Sequence, residues 1–162
     1  MTLEHDYFGL IGDYWSERRQ FADQDVEVVL DADADFVSTD ALDRAAGFIS
    51  DLEDLDGEIR EAFVGQLASS SSTVVAFLNA LFDGDEETLE IAEESITRDS
   101  GDQQIDALRS LSLVRVDLRP DADGGGESFA EFEYALAPED LDDRLVIVLD
   151  ITREVVDVRH ES

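Results

Sequence analysis

Hydrophobic and polar residues alternate near the start of the chain, which predicts β-strands. The alternation is clearest where Val26, Val28 and Leu30 fall on one side of an extended chain. The aromatic-rich segments 7–11 and 14–21 predict two shorter strands before it, because aromatic side chains suit a pleated surface. Together these segments predict a meander over about residues 7–31.

The hydrophobic period changes to that of an α-helix at about residue 39. Apolar side chains recur at helical spacing from Leu42 to Leu52, which predicts a first helix. Ser38 or Thr39 can cap the unpaired amides at its start. The middle of the chain, about residues 39–109, is therefore expected to be helical.

Further helices are predicted by the same spacing. After an acidic break marked by Gly57, apolar positions predict a second helix over about residues 59–67. A third is predicted over about 74–82, with a serine run feeding its cap and Gly84 ending it. Short helices are predicted near residues 89–96 and 105–108.

The period returns to two in the last third, over about residues 111–158. Strands are predicted at 113–119, 130–136, 145–149 and 154–158, with a hairpin loop at 120–126 and a helical turn at 138–141. Strands, then helices, then strands predict an α+β fold, with a mostly antiparallel sheet and a central helical segment packed on one face. We expect one domain over residues 1–162.

Composition adds an unusual charge to this picture. The 162 residues include 42 acidic and 11 basic ones, all of the latter Arg, for a net charge of -31. Attraction to nucleic acid or to an anionic membrane needs a positive face, so neither is an expected partner. The chain has no Cys, which excludes disulfides and thiolate chemistry. The N-terminus lacks a signal-peptide layout, and we expect a cytoplasmic protein.

Two explanations of the acidity stay open, and they are compatible. A GC-rich genome or a salty solvent favours Asp, Ala and Arg. Alternatively, an acidic surface steers and holds a basic protein partner. Arg115 and Arg119 fall on the same side of a predicted strand and are the expected compensating cluster, while the position of Arg109 is uncertain.

Two acidic clusters are candidates for calcium, and neither is convincing. Residues 31–35 have the D-x-D-x-D pattern of a calcium loop, but Phe36 replaces its glycine and Leu42 its final glutamate. Asp121, Asp123 and Glu127 surround three glycines. With so many acids such clusters arise by chance, so both are interpreted as solvated loops and no metal site is predicted.

Candidate catalytic residues are equally scarce. His5 and His160 are the two histidines, each lies near one end of the chain, and both are expected on the surface. No nucleophile elbow or phosphate loop occurs, and a chain without Lys has no Schiff-base or phosphate-binding lysine. The sequence therefore predicts no catalytic, cofactor-binding or metal residues, no cofactor and no enzyme activity.

Most of the chain resembles a known family: segments 25–28 and 42–49 are similar in placement, and residues 113–134 are the specific part. Residues 108–121, LRSLSLVRVDLRPD, are similar to the L-x-L-V-R-V-G-L-Y-P-D stretch of a bacterial domain of unknown function, number two thousand and four. The segment 129–134, FAEFEY, resembles that family's F-A-x-F-D-Y strand, residues 145–148 its L-V-V-V strand, and the final HES its M-E-S end. The family has no assigned reaction. The resemblance implies an immunity-like protein that neutralises a toxin by binding it.

The expected function is accordingly that of a non-catalytic binding protein, with an acidic surface for a basic protein partner. The alternatives are a metal-dependent hydrolase that uses Asp and Glu clusters, and a structural homo-oligomer without a ligand. The oligomeric state stays unknown at this level.

Overall fold

The computed structural model describes residues 3–11, 15–21, 24–31, 37–98, 100–120 and 129–161. Its strands are β1 (Leu3–His5), β2 (Gly9–Ile11), β3 (Trp15–Phe21), β4 (Gln24–Leu30), β5 (Ser112–Leu118), β6 (Ala130–Ala135), β7 (Arg144–Leu149) and β8 (Val155–Glu161). Its helices are α1 (Thr39–Ser50), α2 (Leu52–Gln66), α3 (Thr73–Phe82), α4 (Glu86–Ser95) and α5 (Gln103–Ser110). The predicted α+β architecture is confirmed.

Strands β3 to β8 form one six-stranded sheet in the order of the chain. Every neighbouring pair is antiparallel except β4 and β5, which are parallel. The parallel pair has a simple cause. All five helices lie between β4 and β5 in the chain, and this long crossover lets β5 run in the same direction as β4. The mostly antiparallel sheet predicted from the sequence is confirmed.

One face of the sheet carries the helices and the core. Val28, Val116, Phe132 and Ile147 stand opposite one another on four neighbouring strands, and all four are fully buried. Helical aromatic side chains pack onto this inner face, with Phe63 meeting the ring of Tyr134 edge-on at a centroid distance of 5.2 Å. Alternating side chains of the same strands form the outer face.

Side-chain caps fix where the helices begin. Ser38 Oγ accepts the Ala41 N–H at the start of α1, and Ser72 Oγ accepts the Val75 N–H at the start of α3. Both caps were predicted, because serine offers an acceptor to amides that have no partner within the helix. Gly84 lies just beyond α3, as predicted, and a Cβ there would meet the Ala80 carbonyl at 3.2 Å.

The second helix begins earlier than predicted. α2 starts at Leu52, so Gly57 lies in its interior and Asp51 alone separates it from α1. Leu52 and Leu55 are buried on the same helical face as Ile59. Their burial outweighs the cost of about 1 kcal/mol for a glycine inside a helix.

The N-terminal strands are also arranged differently from the predicted meander. β1 and β2 pair only with each other, in a separate two-stranded sheet. Tyr7 and Phe8 form the turn between them rather than a strand. Their rings pack onto β3 instead: Phe8 lies edge-on to Trp15 at 4.8 Å, and the Tyr7 hydroxyl donates to Glu17 at 2.8 Å. The aromatic residues Tyr7 and Phe8 therefore mark a turn whose rings contact β3, not an extended strand.

Candidate protein-binding surface

The outer face of the sheet alternates basic and acidic residues across neighbouring strands. Arg18, Glu27, Arg115 and Glu133 stand opposite one another on β3 to β6, so each charge faces an opposite one. Cross-strand pairs of this kind contribute roughly 0.2–1 kcal/mol each. Burial raises the pKa of the Glu133 carboxyl above its usual value, and Arg144 and Arg115 limit that rise.

The neighbouring row would place acid against acid, and arginines prevent this. Asp117 stands opposite Glu131. Arg115 Nε contacts the Asp117 carboxylate at 3.0 Å, Arg119 contacts Glu131 at 3.5 Å, and Arg159 also pairs with Glu131. The compensating cluster predicted for Arg115 and Arg119 therefore lies on the outer face of the sheet, and Arg159 joins it.

Eight of the eleven arginines lie within 4 Å of a carboxylate of the described residues. They are Arg18, Arg19, Arg44, Arg60, Arg115, Arg119, Arg153 and Arg159. Arg109, whose place was uncertain, lies in the last turn of α5 and not on the sheet. Arg144 instead donates to the carbonyls of Leu141 and Pro138. The positive charge of the chain is thus largely used to pair acids of the sheet and of α1 and α2.

Helix α4 and the turn before it form a second, very different surface. Residues 83–94 contain seven acidic residues and no basic one, and all seven are exposed. They are Asp83, Asp85, Glu86, Glu87, Glu90, Glu93 and Glu94. None of the seven forms an ion pair with Arg or His in the part of the chain that the structure describes. We call these seven residues the α4 acidic surface.

The position of α4 explains why these acids stay in water. α4 packs mainly against α3, and Ala92 is its one buried residue. Asp85 caps the helix by accepting the Thr88 N–H at 2.8 Å, and this hydrogen bond holds the pKa of the Asp85 carboxyl below its usual value. The other six acids are likewise exposed, and the main neighbour of α4 among the described elements is α3.

A surface pocket of about 270 Å³ adjoins the C-terminal end of α4. It is lined by Glu93, Ile96, Arg98, Gly101, Gln103 and Asp106. Asp106 is buried and holds the loop in place by accepting from the backbone and the hydroxyl of Ser100, at 2.9 and 2.7 Å. The lining thus combines an apolar side chain, two carboxylates and the guanidinium of Arg98.

The sequence did not predict the main buried polar cluster. Tyr134 is fully buried on β6 and donates its hydroxyl to Asp56 of α2 at 2.7 Å. Arg60 Nε contacts both oxygens of Asp56 at 3.1 Å. The same guanidinium donates to the Leu111 carbonyl and to Gln24 Oε1, each at 2.6 Å.

This cluster connects the helices to the sheet. The Gln24 oxygen also accepts the Leu113 N–H at 2.6 Å, so β4, β5, β6 and α2 meet there. Its groups satisfy one another, which makes it a structural element rather than a reactive site. A signal was present in the sequence: Asp56 lies on the same helical face as Leu52 and Ile59, where an unpaired carboxylate would be costly.

The histidines occupy structural positions, and the expected surface location is wrong for His5. His5 is buried, because its ring packs beside Phe8 and its Nδ1 accepts the Tyr7 N–H at 3.1 Å. Its proton therefore lies on Nε2, which bonds Asp43 Oδ1 at 2.7 Å. His160 lies on β8, an edge strand of the six-stranded sheet, and its Nε2 contacts Asp143 Oδ1 at 2.9 Å.

The two calcium candidates lie outside the described residues, apart from Asp31 at the start of the first one. Among the residues that are described, no group of three or more His, Asp or Glu side chains is placed to share a metal ion. The described helices include none with the length and apolar character needed to cross a membrane.

Comparison with protein-family models, with curated proteins and with solved structures finds no match for this chain. The resemblance of residues 108–134 to an uncharacterised bacterial family therefore stays a prediction. The functional argument depends on the surface of the molecule alone.

Proposed function

We propose that this protein is a non-catalytic binding protein whose α4 acidic surface holds a basic protein partner. One observation carries the proposal: seven exposed acids occur within twelve residues, with no ion pair to Arg or His among the described residues. All seven carboxylates that pair with arginine in the described residues lie outside this surface. A surface whose negative charges have no counter-charge in the protein can bind the cationic side chains of a partner, which then replace water and counterions.

The form of the partner follows from the same surface. Acids at positions 86, 87, 90, 93 and 94 spread over three turns of a helix, so a partner must present several Arg or Lys side chains over a comparable length. An immunity-like protein that neutralises a basic toxin fits this description, and the resemblance of the last third favours it.

The experiment is affinity capture from a lysate of the protein's own source, with three forms of the chain. The wild type is compared with Glu87→Gln/Glu90→Gln/Glu94→Gln, which neutralises part of the α4 acidic surface. The matched control is Glu53→Gln/Glu58→Gln/Glu61→Gln, three exposed acids of α2 with the same change in net charge. Bound proteins are identified by mass spectrometry at about 0.05 M and about 0.5 M NaCl.

We expect one basic protein in a stoichiometric amount with the wild type and the α2 control, and its loss with the α4 variant. Raising the salt should release it, because the attraction is between exposed charges. Equal capture by the α4 variant, capture that salt does not affect, or no captured protein would each reject the proposal.

A further inference from the structure

We infer that the exposed edge of β8 pairs with β8 of a second copy of this chain, extending the sheet across a twofold axis. β8 is the last strand of the sheet and pairs only with β7 among the described strands. Its second long edge has no other described strand beside it, and there the Asp157 carboxylate accepts the Val158 N–H at 3.0 Å. A strand edge of this kind is a template for another strand, whose carbonyl can replace that side-chain acceptor.

The edge strand begins with two apolar side chains, ahead of its charged residues Asp157, Arg159 and Glu161. Val155 and Val156 are 45% and 47% exposed, and together with Tyr7 they are the exposed large hydrophobic side chains of the described residues. Val156 is the extra residue of a bulge, since Leu149 faces Val155 and Val148 faces Asp157. From Asp157 onward the strand is regular and available for pairing.

Charge selects the pairing. In a twofold antiparallel pair one residue faces its own copy at the centre, and residues equally far on either side face each other. With Val158 at the centre, Asp157 faces Arg159 of the second copy, and the reverse pair forms as well. All seven residues of β8 overlap, and Val156 faces His160 of the second copy.

Pairings centred on the residues near Val158 are less favourable, because they place like charges opposite each other or shorten the overlap. Centring on Asp157 brings two Asp157 carboxylates together, and centring on Arg159 brings two guanidinium groups together and sets Asp157 against Glu161. Centring on His160 pairs Arg159 with Glu161 but leaves Val155 and Val156 outside the overlap of the two β8 strands. Arg159 is 41% exposed and contacts Glu131 with one terminal nitrogen, so its guanidinium has donors to offer a second carboxylate.

Salt dependence separates this inference from the proposed function. Two chains of net charge -31 repel each other, and salt screens that repulsion more than it weakens two contact ion pairs. The dimer should therefore strengthen as NaCl rises, whereas binding of a basic partner to α4 weakens. Either idea can fail while the other holds.

The test is sedimentation velocity of the full chain at about 0.5 M NaCl over an about hundredfold range of concentration. We expect the wild type to shift from monomer to dimer. Asp157→Arg alone and Arg159→Asp alone should each weaken the dimer about tenfold or more, because like charges then face each other. An equimolar mixture of the two variants should associate again as a heterodimer, since each then offers the charge that the other lacks.

The control is Glu90→Arg, which changes the net charge as much as Asp157→Arg does but lies on α4. It should dimerise at least as well as the wild type, and thermal unfolding of every variant verifies that it is folded. A wild type that stays monomeric at every concentration would overturn the inference. So would a dimer that Asp157→Arg leaves intact, or a mixture of variants that stays monomeric.

Discussion

Removing the Asp56 carboxylate tests whether the buried cluster holds the helical layer to the sheet. In Asp56→Ala the guanidinium of Arg60, whose side chain is 18% exposed, loses its counter-charge, and the Tyr134 hydroxyl loses its acceptor. Breaking a buried ion pair costs about 3–5 kcal/mol. Arg60 keeps its bonds to Leu111 and Gln24, so we expect the lower end of that range, about 3 kcal/mol.

The chain contains a matched control for this change. Asp40 and Arg44 form an ion pair with the same residue types and the same spacing of four on α1, but their side chains are 80% and 52% exposed. Exposed pairs contribute less than about 1 kcal/mol, so Asp40→Ala should lower the free energy of unfolding by less than that. The two variants differ chiefly in burial.

A double-mutant cycle assigns the energy within the cluster. Tyr134→Phe keeps the ring contact with Phe63 but removes the hydrogen bond to Asp56, which should cost about 1.5–3 kcal/mol. Combined with Asp56→Ala it should cost about 1–2 kcal/mol less than the sum of the single changes, because both remove the same bond.

Urea unfolding followed by circular dichroism measures these differences in the free energy of unfolding. They are obtained from the transition midpoint, provided that the dependence of that free energy on urea concentration is the same for all variants. The reasoning would be refuted if Asp56→Ala destabilised the protein no more than Asp40→Ala, or if the effects of the two cluster variants were additive.

Two further predictions concern pH and salt. Burial and the Asp56 carboxylate raise the pKa of Tyr134 well above its usual value, so the unfolded chain releases this proton first and stability falls as pH rises past about 10. At pH of about 11 the wild type should have lost about 1.4 kcal/mol more than Tyr134→Phe, measured by urea unfolding, and equal losses would contradict the assignment. The melting temperature should rise from low to moderate NaCl, because salt screens the repulsion within a chain of net charge -31. That rise should be smaller for Glu87→Gln/Glu90→Gln/Glu94→Gln, and a calorimetric trace that is insensitive to salt would mean that the acids are better compensated than we infer.

The spacing of apolar residues was sufficient to predict the strands of the sheet and most of the helices. Each of these elements buries one face, and burial of one face requires apolar residues at a regular spacing. The row through Val28, Val116 and Phe132 is apolar from β4 to β6, and the serine caps at Ser38 and Ser72 mark the starts of two helices. Gly57 indicated a break that does not occur, because its unfavourable effect on a helix is smaller than the gain from burying Leu55 before it and Ile59 after it.

Features that depend on long-range contacts could not be predicted in this way. Asp56 and Tyr134 are 78 positions apart, and nothing local indicates that a hydroxyl from β6 reaches the carboxylate. His5 looked like a residue of a fraying terminus, yet Asp43, 38 positions later, accepts its bond. Aromatic residues at 7 and 8 predicted a strand because local propensity does not distinguish an extended segment from a turn whose rings pack on a neighbour.

The distribution of arginine is the property that composition could not reveal. A net charge of -31 is compatible with acids spread evenly, and an even spread would favour adaptation to solvent as the whole explanation. Instead, Arg115, Arg119 and Arg159 are concentrated on the outer face of the sheet, where acids would otherwise face acids. The α4 acidic surface has no such compensation among the described residues, although an Arg at an i+4 position would add a stabilising pair. The outer face of the sheet thus has its acids paired with arginine, whereas, within the described part of the chain, the α4 acidic surface does not. This difference is what the proposed binding role of the α4 acidic surface requires.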